Sequence, residues 1–179
     1  MGTARPTDRL FFAVLPDPRT AARIADLAKR LREGHGLNGR RLETEHLHAT
    51  LLHVGDDFFA PPPELISELV RRASSVEMPS FRISFDRVMS FRNGAFVLCG
   101  GEGVAGLEML HERLKTTMTV EGMTRSASAF TPHMTLLRDP RHVPSYEIEP
   151  ITWTTREFVL VHSLLGKTTH RHPARFALS

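Results

Sequence analysis

Two short stretches of this chain carry the residue types and the spacing for acid–base chemistry on a phosphate. His46-Leu47-His48-Ala49-Thr50-Leu51-Leu52 and Pro132-His133-Met134-Thr135-Leu136-Leu137 share the pattern His-x-Thr-Leu-Leu. The leading histidines, His48 and His133, stand 85 residues apart in a chain of 179. An imidazole changes charge near neutral pH and can serve as general acid or base. A threonine hydroxyl can donate to a phosphate oxygen. Along a strand alternate side chains share a face, so His48 goes with Thr50 and His133 with Thr135, while Ala49 and Met134 turn to the core. Two such pairs across a cleft would supply one base, one acid and two hydroxyls, enough to hydrolyse a phosphodiester by in-line attack without a metal. A single His-x-Thr is commonplace in a half-exposed strand. Its recurrence at half-chain distance, with the Leu-Leu flank, suggests two related lobes that each contribute one motif.

The other candidates are weaker. The chain has 10 histidines but one Tyr and one Trp, which invites a metal reading. His46 should share a face with His48, but strict alternation puts His53 on the opposite face. No carboxylate or cysteine has ligand spacing either, so no metal site is expected. His111 lies between Leu110 and Leu114 on a helical pattern and reads as packing or surface. His170-Arg171-His172 reads as a solvated turn or a basic rim. Cys99 is the lone cysteine, which excludes a disulfide framework and a multi-cysteine zinc site. Phe11 and Phe12 alternate faces, so one of them could line the cleft and stack on a base; Phe12 is the candidate, although core burial suits both. Arg138, just past the second motif, could grip a phosphate or stack on a base.

The elements that must position these residues follow from hydropathy and turn chemistry. Leu10 to Leu15 reads as a buried strand stopped by Pro16. Asp17-Pro18 opens a helix that ends near Gly34. A strand over 46–54 is broken by Gly55-Asp56-Asp57, and a second helix carries Leu65, Ile66, Leu69, Val70 and Ala73. Phe81, Ile83 and Phe85 alternate with polar residues, and Asn93-Gly94 marks a hairpin. A third helix spans roughly 104–118. A strand near 133–138, a loop from Asp139 to Pro150, and strands near 157–163 and 173–178 complete an α+β pattern rather than a doubly wound parallel one.

Composition sets outer bounds. Lys plus Arg is 23 against 20 for Asp plus Glu, a net charge of +3. That excludes a polybasic nucleic-acid coat but allows a local basic cleft. The N-terminus lacks the apolar core of a signal peptide, and the run at Leu10–Leu15 is too short to span a bilayer. A soluble, cytoplasmic protein is expected.

Together, Arg9-Leu10-Phe11-Phe12-Ala13-Val14, His46-Leu47-His48-Ala49-Thr50-Leu51, Phe130-Thr131-Pro132-His133-Met134-Thr135-Leu136-Leu137-Arg138 and Ser163-Leu164-Leu165-Gly166 resemble the two-histidine (2H) phosphoesterase superfamily. Within it they most resemble the RNA 2′,3′-cyclic phosphodiesterase, or 2′-5′ RNA ligase, branch. The resemblance implies one bilobal α+β domain over residues 1–179, with two pseudo-twofold-related antiparallel sheets, helices packed outside and a central cleft. It implies metal-independent hydrolysis of an RNA-terminal 2′,3′-cyclic phosphate to a 2′-phosphate, with no cofactor. His48 and His133 would be catalytic, Thr50 and Thr135 would hold the phosphate, and Arg138 matches a position often basic. The partner would be RNA with a cyclic-phosphate end or a small cyclic nucleotide, with no membrane and no obligate protein partner. Two departures touch the substrate pocket. His53 stands where an aromatic or apolar residue is common, and Lys167-Thr168-Thr169-His170 follows the closing glycine where a tyrosine is common. The alternatives are a sister activity on small cyclic nucleotides or an ADP-ribose cyclic phosphate, weak reversible 2′-5′ ligation, and a non-catalytic RNA-end binder.

Overall fold

Local rules account for most of the elements in the computed structural model, which describes residues 5–119 and 129–179. Asp17 caps α1 (Pro18–Gly34): its carboxylate accepts from the Thr20 N–H at 2.9 Å and from the Thr20 hydroxyl at 2.7 Å. Pro18 fills the first turn, where no N–H is needed. Two further helices follow, α2 (Pro63–Ala73) and α3 (Ala105–Met118). In α3, Leu107, Leu110, His111, Leu114 and Met118 recur at three- and four-residue spacing and are all buried. The Asn93-Gly94 turn joins β3 (Phe81–Ser90) to β4 (Ala95–Cys99), with Gly94 at φ 84°, a backbone state that glycine adopts without steric penalty.

The remaining strands are β1 (Asp8–Val14), β2 (Ala49–Phe58), β5 (His133–Arg138), β6 (Tyr146–Thr155), β7 (Glu157–Leu164) and β8 (Thr169–Ala177). They form one antiparallel sheet in the order β6-β3-β4-β5-β2-β1-β7-β8. The fold is α+β, as the sequence pattern suggests. Two four-stranded halves, β2-β1-β7-β8 and β5-β4-β3-β6, meet where β2 pairs with β5 through Ala49 and Met134. The halves are therefore continuous with one another rather than separate sheets. They are also interleaved in sequence, because the last two strands complete the half that the first two begin. The helices cross over as well: α1 lies on β5 and β6, and α3 lies on β2 and β3.

The main core fills the space between the helices and one sheet face, with Leu10, Phe12, Phe85, Phe96, Leu136 and Phe158 fully enclosed. The other face carries two small apolar clusters, one in each half: Phe11, Ala13, Val159 and Val161, and Ala95, Val97 and Cys99. No described helix residue joins either cluster. This helix-free face is the one that bears the paired motifs.

Three expectations need correction. The loop expected over 139–150 ends at residue 145, and residues 146–150 are the start of β6, whose Pro150 interrupts the alternation; β6 is an edge strand, where a missing N–H breaks no ladder bond. β2 continues past Gly55 to Phe58 and begins at Ala49, because Thr44–His46 form a 3₁₀ turn. β8 starts at Thr169, so His170 and His172 belong to a paired strand rather than to a turn.

Candidate active site

The two motifs meet at the middle of the sheet. Ala49 and Met134, the residues between His and Thr in each copy, are Cα partners and are buried in the main core. Period two then turns His48, Thr50, His133 and Thr135 to the helix-free face. The antiparallel register sets His48 against Thr135 and Thr50 against His133.

Each histidine is anchored in the same way. His48 Nδ1 lies 2.7 Å from the carbonyl oxygen of His46, and His133 Nδ1 lies 2.7 Å from that of Thr131. A carbonyl only accepts, so Nδ1 donates in both rings and Nε2 is the nitrogen that exchanges a proton. An aromatic ring backs each one: Phe11 at 4.9 Å from His48 and Phe91 at 4.8 Å from His133, centroid to centroid. Burial lowers the pKa of His48; the bond to His46 opposes this, and the positive charges of His133, His46 and Arg9 add to the lowering. In the free protein His48 therefore resists protonation, and the pair shares one proton more readily than two.

Both copies of Leu-Leu hold a β-bulge. Thr50 pairs with Ala13 but Leu52 pairs with Phe12, so Leu51 is the extra residue and His53 falls opposite Phe11. Thr135 pairs with Val97 but Leu137 pairs with Phe96, so Leu136 is extra and Arg138 falls opposite Ala95. The inserted residue flips the alternation, so both leucines in each copy are buried and the residue three past each threonine returns to the face of that threonine. His53 therefore lies on the motif face, which corrects the expectation of the opposite face. Arg138 reaches that same face, exposed, through the second bulge.

Phe12 does not line the site. It is fully enclosed in the main core, 6.3 Å from Phe158 and 6.2 Å from Phe176, and the neighbouring Phe11 takes the position beside His48. His111 is buried and hydrogen-bonded through Nδ1 to the carbonyl of Leu51 at 2.6 Å, which ties α3 to the first bulge. Two residues that the sequence reading set aside sit next to His48. The His170 ring lies 5.6 Å from that of His48, and the His46 ring lies 4.6 Å from that of His170. Among the described residues, no group of three or more His, Cys, Asp or Glu side chains could hold a metal ion.

The family model of the 2′-5′ RNA ligase superfamily matches residues 16–166, a span that contains both motifs. The chain belongs to this superfamily. A search of curated protein sequences finds no match. Among solved structures, Escherichia coli LigT complexed with 3′-AMP is 27% identical, with a TM-score of 0.76, and the match covers 98% of this chain and 99% of that one. A structure described as a phosphoesterase is 28% identical over 97% of this chain and 99% of its own, also with a TM-score of 0.76. The TT0787 protein of Thermus thermophilus, at 23% identity and a TM-score of 0.75 over 95% of this chain and 97% of its own, shares the fold. Membership of the 2′-5′ RNA ligase superfamily makes this chain a two-histidine phosphoesterase at the family level. No described helix is long and apolar enough to cross a membrane.

Proposed function

We propose that this protein hydrolyses 2′,3′-cyclic phosphates at RNA ends to 2′-phosphates, without a metal or other cofactor, as a single domain of the cytoplasm. The observation that carries the reading is the pair of anchored imidazoles, each two residues from a threonine, on one face of the sheet around Ala49 and Met134. In the step proposed, water attacks phosphorus in line with the bond to the ribose O3′. The neutral ring takes the proton from water, the bond to O3′ breaks, and the charged ring delivers its proton to O3′. The phosphate stays on O2′. Thr50 and Thr135 hold the non-bridging oxygens, where charge builds as the phosphorus becomes five-coordinate. Arg138 contacts the substrate beyond the phosphate. The ligands of solved E. coli LigT structures, 3′-AMP, ATP, NADP+ and phosphate, all carry a phosphate, which suits a site built on His-Thr pairs.

The test is a cyclic-phosphate-ended oligonucleotide incubated with the protein in excess EDTA, with the product phosphate located. A 2′-phosphate is expected. A 3′-phosphate, an absence of turnover, or near-parental turnover by both His48→Ala and His133→Ala would overturn the reading.

A further inference from the structure

The two motif histidines sit on different halves of the sheet, and the seam between those halves is narrow. β2 and β5 share one Cα pair, Ala49 with Met134. One pair fixes a point of contact but not the angle at which two strands meet. The separation of His48 from His133 therefore depends on what packs behind the seam. α3 lies there, against β2 of one half and β3 of the other. His111 of α3 is 4% exposed and reaches towards both motifs.

Towards the first motif, His111 Nδ1 donates to the Leu51 carbonyl at 2.6 Å. Leu51 is the residue that the bulge takes out of the pairing with β1, and a buried carbonyl without a partner is costly. Towards the second motif, the His111 ring stacks on Phe130, with centroids 3.9 Å apart and planes 10° from parallel. Phe130 stands three residues before His133. Between them, Pro132 is buried, has a fixed φ and holds Thr131 extended, so this lead-in is short and stiff. The Thr131 carbonyl is the group that accepts from His133 Nδ1. A shift of the Phe130 ring thus passes to the anchor of His133, and a shift of Leu51 passes to Thr50 and, through Ala49, to His48. An imidazole suits both tasks, because it is flat enough to stack and carries a donor on its edge. Leu107, Leu110 and Leu114, its buried neighbours on α3, can do neither.

We propose that His111 is a positioning residue, which holds the two motifs at their working separation by tying the Leu51 carbonyl to the Phe130 ring. This rests on the reading of His48 and His133 as the acid–base pair, and adds a residue that acts from behind the sheet.

Two variants each break one tie. His111→Phe keeps a ring on Phe130 and loses the donor to Leu51; Phe130→Leu keeps apolar bulk and loses the stack. Phe130→Tyr restores the ring. Leu114→Val weakens α3 packing without touching either tie and is the control for lost stability. On the folded fraction, kcat for a cyclic-phosphate substrate should fall about 10–100-fold in His111→Phe and in Phe130→Leu, as for a displacement of about 1 Å, and return in Phe130→Tyr. The second readout needs no substrate. Burial lowers the pKa of His48, and the charge of His133 adds to the lowering. Loosening the seam weakens both effects, so the His48 imidazole resonances should titrate at higher pH in His111→Phe and Phe130→Leu, and at parental pH in Phe130→Tyr and Leu114→Val. Parental titration of His48 in both tie-breaking variants, or an equal shift in Leu114→Val, overturns the positioning role. If the parent protein turns over no cyclic phosphate, the reaction assignment fails and the titration alone decides the tie. If cyclic phosphate is turned over and the titration does not move, the tie fails and the reaction assignment stands.

Discussion

Replacing Gly39 by alanine tests how tightly the second motif is held from behind. Gly39 precedes the segment that runs beside β5, where Arg41 bridges to Leu137 and the Leu42 N–H donates to the Leu136 carbonyl at 2.8 Å. A Cβ at position 39 would sit 2.0 Å from the carbonyl oxygen of Arg138, 2.9 Å from its carbonyl carbon and 3.1 Å from Leu137 Cδ1. The obstacle is mainly backbone, so rotamer changes cannot relieve it. Gly39 is itself fastened: its N–H donates to the Asp139 carboxylate at 2.8 Å, and its carbonyl accepts from Arg32 Nε at 2.9 Å. Overpacking of this kind costs about 1–3 kcal/mol. At roughly 2–4 °C per kcal/mol for a chain of this size, the melting temperature should fall by about 2–12 °C. The chain that must yield also carries Thr135 and His133, and a displacement of about 1 Å in a catalytic group costs roughly 10²-fold. Turnover of a cyclic-phosphate substrate at 25 °C should therefore fall about 10–100-fold, beyond any loss of folded protein. Gly34→Ala is the matched control, since a Cβ there meets nothing within 4 Å at the end of α1; it should hold or raise stability by up to about 1 kcal/mol. Melting followed by circular dichroism, with kcat/KM on the folded fraction, reads both effects. Parental stability together with parental turnover in Gly39→Ala would refute the reasoning.

Other outcomes follow from the same geometry. His48→Ala and His133→Ala should each cost about 10²–10⁴-fold in kcat, and the double variant should be little worse than the poorer single, because the rings act as a unit. Thr50→Val and Thr135→Val should each lower kcat/KM by about 10–100-fold through a lost hydrogen bond to a charged oxygen, with melting temperature almost unchanged. If the active form holds one proton on the pair, the acid limb of the pH profile reports uptake of the second. The environment of His48 opposes that uptake, so the limb should fall below the ordinary imidazole value of 6.5, and Arg9→Gln should move it upward. The Thr7 hydroxyl, then His162, hold the Asp8 carboxyl below its ordinary value of 3.8. The stability this confers is complete above 3.8 and is lost as pH falls through the lowered value. Acid melting curves should consequently be steeper for the parent below about pH 4 than for Asp8→Asn.

The placement of the paired motifs was more legible in the sequence than the surface around them. Period two, applied to His48-Ala49-Thr50 and His133-Met134-Thr135, needs only that each motif stand at the start of a strand with its middle residue buried; β2 begins at Ala49, β5 at His133, and Ala49 and Met134 are both buried. The same rule fails three residues later, because Leu51 and Leu136 are inserted into the pairing and reverse the alternation at His53 and Arg138. The one trace of those bulges in the sequence is a double leucine directly after an alternating polar and apolar run, where the period of two is broken. Phe11 and Phe12 could be assigned to opposite faces from their spacing, but which face held the motifs depended on the pairing of β1 with β2 and β7. His170 could not be assigned to the site from its own neighbours, because its proximity to His48 arises from pairing between strands far apart in the chain.

The interleaved strand order also bears on how the chain is made. β1 has two neighbours, β2 within the first third of the sequence and β7 near its end. Until residues 157–177 leave the ribosome, Leu10-Phe11-Phe12-Ala13-Val14 offers one open strand edge with a fully apolar stripe, the kind of surface that pairs with other chains. Premature termination anywhere before β7 would therefore yield a sticky fragment rather than a half-active one, and folding to the competent state waits for the last strands to be synthesised.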